Sequence, residues 1–260
     1  ADIYGRGRCE ELLGLVLKNR PDLREEMWIQ SKCGIRIEEF TYFDFSKDYI
    51  IKSVDGILQR LKIDHLDSLL LHRPDALMES DQVAEAFDLL YKQGKVRDFG
   101  VSNQNPMMME LLKKDVKQPL AVNQLQLSAA FTPGFESGFH VNMEDSQASI
   151  RDGSIFEYCK LHDVVIQAWS VLQFGYFKGN FVGNEKFQAL NQVLDRLAFK
   201  YGVTPSTIAI SWILRYPAKM QAVVGTTNPK HLREVSQAAN FSLTRKERYE
   251  IYLAAGNNLP

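Results

Sequence analysis

Three polar residues close separate strand-like segments of this chain, and their types suit the delivery of a proton. Tyr4 ends the opening segment. Lys32 follows the apolar run Met27–Ser31, and His72 closes a second apolar run. A phenol with a pKa of about 10 is a poor acid at neutral pH, but a nearby ammonium group favours the phenolate and lowers that pKa. A histidine beside the phenol can orient a carbonyl oxygen or relay the proton. Each residue alone also fits an ordinary strand end, but all three at equivalent positions favour a proton-delivery site.

The composition predicts a globular chain with a sizeable core. The 260 residues are 45% hydrophobic and 24% charged, and the formal net charge is −1. This length fits one large domain or two small ones, and of these we expect a single domain over residues 1–260. The charge balance argues against a nucleic-acid partner, and the apolar runs are too short for a membrane span.

The cysteines favour a reduced compartment. Cys9, Cys33 and Cys159 are odd in number and far apart, so they fit neither a disulfide framework nor zinc spacing. We therefore expect a cytoplasmic protein with no metal site.

Strand-length apolar runs alternate with segments of helical period, which is typical of parallel strands joined by crossover helices. The predicted strands are Met27–Ser31, Leu66–Leu71, Val96–Val101, Leu120–Leu125, Val164–Ala168 and Gln221–Val224. The predicted helices are Cys9–Asn19, Asp48–Lys62, Asp81–Gln93 behind Ser80 as N-cap, one after Asn105-Pro106, Ser154–Leu161, Lys186–Tyr201, Pro205–Tyr216 behind Thr204, one after Asn228-Pro229, and a last one with Thr244 and Glu247 as capping box.

Two architectures fit this alternation: a closed (β/α)8 TIM barrel and an open doubly wound sheet. The open sheet usually carries a glycine-rich phosphate turn, but the segment Gly5–Glu10 lacks the third glycine. The barrel instead places functional residues at the ends of many strands, which is the pattern here. An α/β class with a (β/α)8 barrel is therefore predicted.

The strand count falls short of eight. Six full strands are predicted, and Ala1–Ile3 has the pattern of the tail of a seventh. Because a barrel closes only when its last strand pairs with its first, we expect the first strand, the first helix and most of the second strand to lie upstream of Ala1.

Further strand ends carry groups that suit a nicotinamide carboxamide. The Ser102 hydroxyl and the Asn103 and Gln124 amides can match both its carbonyl and its NH2 group. Trp169 offers a flat face for stacking of an aromatic ring. Turn formation for the polar residues and core packing for Trp169 remain the alternatives.

Taken together, these motifs resemble the aldo-keto reductases. The residues that carry the resemblance are Ala1-Asp2-Ile3-Tyr4-Gly5, Ser31-Lys32, Leu69-Leu70-Leu71-His72-Arg73-Pro74-Asp75, Gly100-Val101-Ser102-Asn103, Asn123-Gln124 and Ala168-Trp169-Ser170. The order and spacing are most similar to the bacterial branch with a His-Arg-Pro-Asp motif.

The resemblance implies an (α/β)8 barrel that binds NADPH in an extended form. It implies that Tyr4 is the general acid, that Lys32 lowers its pKa, and that His72 orients the substrate. The cofactor-binding residues it implies are Ser102, Asn103, Gln124, Trp169, Ser170, Leu172, Gly225, Thr226, Thr227, Lys230 and Arg233. The family's catalytic aspartate lies five residues before the tyrosine, which places it upstream of Ala1, and Asp2 is not at that position.

The cofactor's 2′-phosphate is a point of departure from the family. Many members contact it with a lysine and an arginine, but Gly225 and His231 stand at those positions here. Lys230 and Arg233 remain as basic contacts, and the helix N-terminus at Pro229 supports them. NADP is the first choice of cofactor, and NAD is the alternative.

Three long connections at strand ends carry aromatic residues that indicate an apolar carbonyl pocket, or else a sealed barrel rim. These connections are Gly34–Ser46 with Phe40, Tyr42, Phe43 and Phe45, Ser128–Gly153 with Phe131, Phe135 and Phe139, and Val171–Glu185 with Phe174, Tyr176, Phe177 and Phe181. The glycines of the third connection suit a cofactor clamp, and His140 in the second is taken as a surface residue.

The predicted function is NADP-dependent reduction of a small aldehyde or ketone, by a monomer or weak homo-oligomer. The alternative is a regulatory or scaffold member of the same superfamily that binds cofactor with little turnover. A barrel lyase or isomerase is less favoured because no phosphate or metal site is found.

Overall fold

The computed structural model describes residues 1–39, 41–134, 153–175 and 177–257. By its internal contacts the chain divides into two compact units, Ala1–Asn123 and Gln124–Pro260. Each unit is described by itself. The prediction of a single domain over residues 1–260 stays a prediction.

The first unit alternates strands and helices. Its helices are α1 (Arg8–Asn19), α2 (Asp22–Glu26), α3 (Lys47–Leu61), α4 (Ser80–Lys92) and α5 (Pro106–Lys113). Its strands are β1 (Gln30–Cys33), β2 (Ile35–Ile37), β3 (Thr41–Phe43), β4 (Leu66–Leu71) and β5 (Val96–Ser102), and β6 (Leu120–Gln126) crosses the division.

The described part of the second unit continues the alternation. Its elements are α6 (Ile155–Leu161), β7 (Val165–Trp169), α7 (Gln188–Tyr201), α8 (Pro205–Leu214), β8 (Met220–Ala222), α9 (Pro229–Ser236) and α10 (Arg245–Ala254). None of the helices in the described ranges is long and apolar enough to cross a membrane.

Six strands form one sheet in the order β1-β4-β5-β6-β7-β8. The pairs β1–β4, β4–β5 and β7–β8 are parallel, which confirms the predicted α/β class. The remaining strands, β2 and β3, form a separate antiparallel hairpin. Parallel pairing matters for function because it brings the carboxyl ends of neighbouring strands to the same edge.

Burial follows the apolar pattern of each element. All six residues of β4 are buried, as expected for a parallel strand covered on both faces. The α3 helix buries Ile50, Val54, Ile57 and Leu61, which share one face. The capping predictions are confirmed at Asn105, Thr204, Asn228 and the Thr244–Glu247 box, where side-chain oxygens accept hydrogen bonds from first-turn amides.

Three local predictions are wrong. Ala1–Ile3 is a turn and not a strand, because Ile3 has helical dihedral angles and leads into a 3-10 turn at Tyr4–Gly7. Ser80 is the first residue of α4 and not its N-cap, and its hydroxyl donates to Asp115 instead.

The third error concerns the position of β1, which begins at Gln30 and not at Met27. Met27 is 37% exposed and Trp28 is 65% exposed. The residues that β1 buries are largely polar. The apolar run therefore marks the approach to the strand and not the strand itself.

Candidate active site

A tight turn at the start of α1 presents the Tyr4 side chain. Gly5 has φ +58, Arg6 has φ +52 and Gly7 has φ +88, so three consecutive residues adopt the left-handed conformation. Glycine takes that conformation without the steric penalty that a side chain brings. The Tyr4 side chain remains 46% exposed, so a substrate can reach its hydroxyl.

Parallel pairing brings Lys32 and His72 close together, and Tyr4 lies beside both. Cys33 of β1 is opposite Leu71 of β4, and the His72 amide donates to the Cys33 carbonyl oxygen at 2.9 Å. The Tyr4 hydroxyl oxygen lies 3.4 Å from His72 Nε2, and Lys32 Nζ lies 5.1 Å from the centroid of the Tyr4 ring. The structure thus brings together the three residues that the sequence singled out.

Burial shifts both titratable partners of Tyr4. It lowers the pKa of Lys32 to about 8, assisted by the positive charge of Arg73, while the Asp2 carboxylate acts in the opposite direction. Burial, and then the charge of Lys32, lower the pKa of His72 to about 3. His72 is therefore a neutral imidazole at physiological pH, and it can hydrogen-bond an oxygen without adding charge.

Ser102 and Asn103 follow at the same edge of the first unit. Val101 of β5 is opposite Leu71 of β4, which puts Ser102 level with His72. Asn103 has φ +57, and its side-chain amide donates to the Ser102 hydroxyl oxygen at 2.8 Å. The sequence analysis missed that the buried Asn123 amide donates to the backbone carbonyl of Gln104 at 2.8 Å and so fixes this turn.

In the second unit Gln124 begins a chain of amides. Its Nε2 donates to Gln167 Oε1 at 3.0 Å, and Gln167 Nε2 donates to Gln221 Oε1 at 2.9 Å. We call these three residues the glutamine ladder. Of the three, only Gln124 was predicted as a site residue.

Trp169 ends β7 and is partly exposed, and the loop after it folds back on itself. Ser170 has φ +54, and the Leu172 carbonyl accepts from the Phe181 amide at 3.1 Å. Gln173 and Asn180 pair as an antiparallel bridge. The structure places Trp169, Ser170 and Leu172 along one strand-to-loop segment.

The residues predicted for the cofactor phosphate lie between β8 and the first turns of α9. The Asn228 backbone amide donates to the Thr226 hydroxyl oxygen at 3.1 Å. The Asn228 side chain caps α9 by accepting from the Lys230 backbone amide. The Lys230 side chain is 81% exposed, and its Nζ lies 3.9 Å from Glu234 Oε1. Gly225, Thr227 and Arg233 also lie in this segment, and a Cβ added at Gly225 would meet no atom within 4 Å. Exposed basic groups beside a helix N-terminus suit an anion.

Each unit carries uncharged hydrogen-bonding side chains that fit a nicotinamide carboxamide. The first unit offers a hydroxyl and an amide at Ser102 and Asn103, and the second offers the amide of Gln124 at the head of the glutamine ladder. These uncharged groups can both donate to and accept from a primary amide.

Several aromatic loop residues have defined places. Phe45 and Phe181 are fully buried, whereas Phe177 is 77% exposed. Phe174 packs on Phe187, with 5.0 Å between the ring centroids. Phe40, Phe135, Phe139, His140 and Tyr176 lie outside the described residues.

A parallel α/β sheet with a tyrosine, a lysine and a histidine gathered beside β1 and β4 is typical of an oxidoreductase. The Aldo/keto reductase family profile matches residues 1–252. The chain belongs to this family, which confirms the resemblance inferred from its motifs.

Curated relatives cover the full chain. It is 35% identical to Oxidoreductase YdhF of Escherichia coli, over 100% of this chain and 83% of the relative. It is 32% identical to a 6-dehydroglucose reductase of Agrobacterium fabrum, over 98% of this chain and 81% of that protein.

Solved aldo-keto reductases share the fold. The thermostable enzyme Tm1743, in complex with the inhibitor epalrestat, is 25% identical with a TM-score of 0.75, over 98% of this chain and 80% of that one. An aldo-keto reductase of Klebsiella pneumoniae in complex with NADPH is 22% identical with a TM-score of 0.74, over 96% of this chain and 76% of that one. The predicted (β/α)8 class is confirmed.

Proposed function

We propose that this chain reduces small aldehydes or ketones with NADPH and that Tyr4 supplies the proton. The observation that carries the proposal is the approach of the Tyr4 hydroxyl to His72 Nε2, at 3.4 Å, beside the buried Lys32. NADPH, when bound, supplies a hydride to the carbonyl carbon. The Klebsiella pneumoniae relative solved with NADPH supports this choice of cofactor.

The chain's own residues handle the proton and the oxygen. Tyr4 donates its hydroxyl proton to the carbonyl oxygen as that oxygen gains charge. The Lys32 ammonium stabilises the phenolate that remains. The neutral His72 ring directs Nε2 toward the same oxygen, so the substrate is held in line with the Tyr4 hydroxyl.

Ser102, Asn103 and Gln124 hold the carboxamide of the cofactor, and Trp169 stacks on its ring. The name of the Agrobacterium fabrum relative, a 6-dehydroglucose reductase, makes sugar-derived aldehydes a sensible part of the substrate panel. The 46% exposure of Tyr4 is compatible with access by such polar substrates.

The test is Tyr4→Phe. We expect kcat to fall on the order of 100-fold or more while NADPH affinity stays close to that of the wild type, because the lost proton is used in the transition state. The measurement is loss of reduced-nicotinamide absorbance with a panel of aldehydes. Tyr91→Phe, a change at an exposed tyrosine of α4, is the matched control.

Near-normal turnover in Tyr4→Phe would rule out Tyr4 as the acid. A wild type that binds NADPH but reduces none of the panel would favour the regulatory alternative.

Cofactor choice is tested by titration. We expect NADPH to bind more tightly than NADH by a modest factor, because Lys230 and Arg233 are basic while Gly225 offers no charge. We also expect bound cofactor to quench tryptophan fluorescence through Trp169. Equal quenching in Trp169→Ala would reject that ring as the stacking platform, and NADH binding as tightly as NADPH would overturn the cofactor preference.

A further inference from the structure

The glutamine ladder has a direction. Gln124 donates to Gln167, and Gln167 in turn donates to Gln221. An amide has one acceptor end and one donor end, so reversing one member would set two acceptors or two donors against each other. The orientation of the Gln124 amide is therefore tied to that of Gln167.

Strand geometry relates this ladder to Trp169, the predicted stacking residue. Gln167 is opposite Gln221 in the β7–β8 register, and it lies two residues before Trp169. Side chains at i and i+2 of a strand point to the same face, so Gln167 shares a face with the predicted stacking ring. Gln124 is 5% exposed, and a buried amide is held firmly by the bonds it makes because leaving them unmade is unfavourable.

We propose that Gln167 is a positioning residue for the cofactor: by accepting from Gln124 Nε2, it turns Gln124 Oε1 toward the carboxamide, where that oxygen accepts from the carboxamide NH2 group. The inference rests on the proposed function, because it takes Gln124 as a carboxamide contact. Gln167 acts through Gln124 and does not itself touch the cofactor.

A pair of ligands isolates this hydrogen bond. NADP and its 3-acetylpyridine analogue differ in that a methyl group replaces the carboxamide NH2, while the carbonyl is kept. The dissociation constant of the analogue divided by that of NADP, both measured by calorimetry, reports what the NH2 group contributes. We expect wild type to favour NADP by about three- to tenfold, the usual contribution of one neutral hydrogen bond.

The variants test the role of Gln167. In Gln167→Met, which keeps the side-chain length, we expect the ratio to fall toward one through weaker NADP binding, with the analogue little affected. In Gln167→Glu, the carboxylate still accepts from Gln124 but no longer donates to the exposed Gln221, and we expect most of the ratio to return. In a Gln124→Met background, Gln167→Met should have no further effect on the ratio. Gln192→Met, an exposed change on α7, is the control.

An unchanged ratio in folded Gln167→Met, or a wild-type ratio near one, would overturn the inference while the proposed function stands. An additional effect of Gln167→Met in the Gln124→Met background would show that Gln167 does not act through Gln124. If wild type binds neither ligand, the proposed function itself fails. If Gln167→Met does not fold, the ratio in Gln124→Met compared with that in wild type still shows whether Gln124 contacts the NH2 group.

Discussion

At the scale of single residues, Lys32 meets two opposed requirements. Its charge serves the proposed chemistry, yet the side chain is 7% exposed and its pKa is lowered to about 8 by burial. A lowered lysine pKa means that folding is penalised whenever the group stays protonated. The residue that assists Tyr4 is thus expected to weaken the fold.

We predict that Lys32→Met stabilises the protein and slows it. At pH 7 the free energy of unfolding should rise by about 1–3 kcal/mol, because the variant no longer buries an ammonium group. The reduction rate at neutral pH should fall, since the Tyr4 phenol loses its cationic partner. Urea unfolding and a pH–rate profile measure the two effects.

The sign of the pH dependence follows from proton binding. Between about pH 8 and the ordinary lysine pKa of 10.5, the unfolded chain holds a proton that the native protein lacks, so wild-type stability rises with pH there. The advantage of Lys32→Met should shrink across this window. Lys52→Met, a change at an exposed lysine of α3, should show no such trend, and a constant advantage of Lys32→Met at all pH values would contradict the assigned cause.

Sequence predicted the site residues whose own type suggests chemistry, and it missed Gln167 and Gln221, whose role depends on their hydrogen-bond partners. Tyr4, Lys32 and His72 each close a recognisable segment, and the structure brings them together. Gln167 lies inside β7, and its partners are 43 and 54 residues away in sequence. The glutamine ladder depends on register between strands, which a single sequence does not encode locally.

At the scale of elements, the contact between α1 and α3 depends on one small residue. A Cβ at Gly14 would meet the backbone carbonyl oxygen of Arg60 and lie 2.9 Å from the Leu61 carbonyl carbon. Backbone atoms of a helix cannot move aside as a side chain can. Gly14 therefore sets how closely the two helices approach.

We predict opposite effects for two glycine-to-alanine changes in these helices. Gly14→Ala should destabilise the protein by about 1–3 kcal/mol through overpacking, although alanine is the better helix former. Gly56→Ala, within α3, meets only the flexible end of the Arg60 side chain, at 2.9 Å. It should be neutral or stabilise by up to about 1 kcal/mol. Thermal and urea unfolding compare the pair, and two changes of the same sign would refute the account.

Helices and buried strands were predicted with boundaries close to those observed, because their periods and caps are local signals. The connection after β1 was predicted as a loop, yet it forms the β2–β3 hairpin. Arg36 stacks on Tyr42 and Tyr49, with its guanidinium carbon about 5 Å from each ring centroid, and it pairs with Asp44 at 2.9 Å. Such a cluster joins residues whose spacing follows neither helical nor strand period.

At the scale of the whole molecule, the cysteines are natural probes of unfolding. Cys9 is exposed, whereas Cys33 in the first unit and Cys159 in the second are fully buried. Burial also raises the pKa of the Cys33 thiol, which disfavours the reactive thiolate.

We predict that a thiol reagent labels Cys9 quickly in the native protein and labels the other two cysteines slowly and at similar rates. The expectation of similar rates rests on β6, a single strand that contains the division at Asn123 and Gln124. Peptide mass spectrometry over time reads each site, and full denaturation should make all three equally reactive. Labelling of Cys159 long before Cys33 would mean that the units open independently.

The site separates charged from uncharged tasks. The side chains proposed to hold the nicotinamide end, including Trp169 and the glutamine ladder, are all uncharged. The proton is transferred beside Lys32, whose pKa is about 8. Occupancy by the nicotinamide end should therefore be constant between pH 7 and pH 9, while turnover varies with the charge on Lys32. Raising the pH would then slow the chemical step without releasing the cofactor. Cofactor-bound protein would therefore accumulate at alkaline pH, where its structure can be determined.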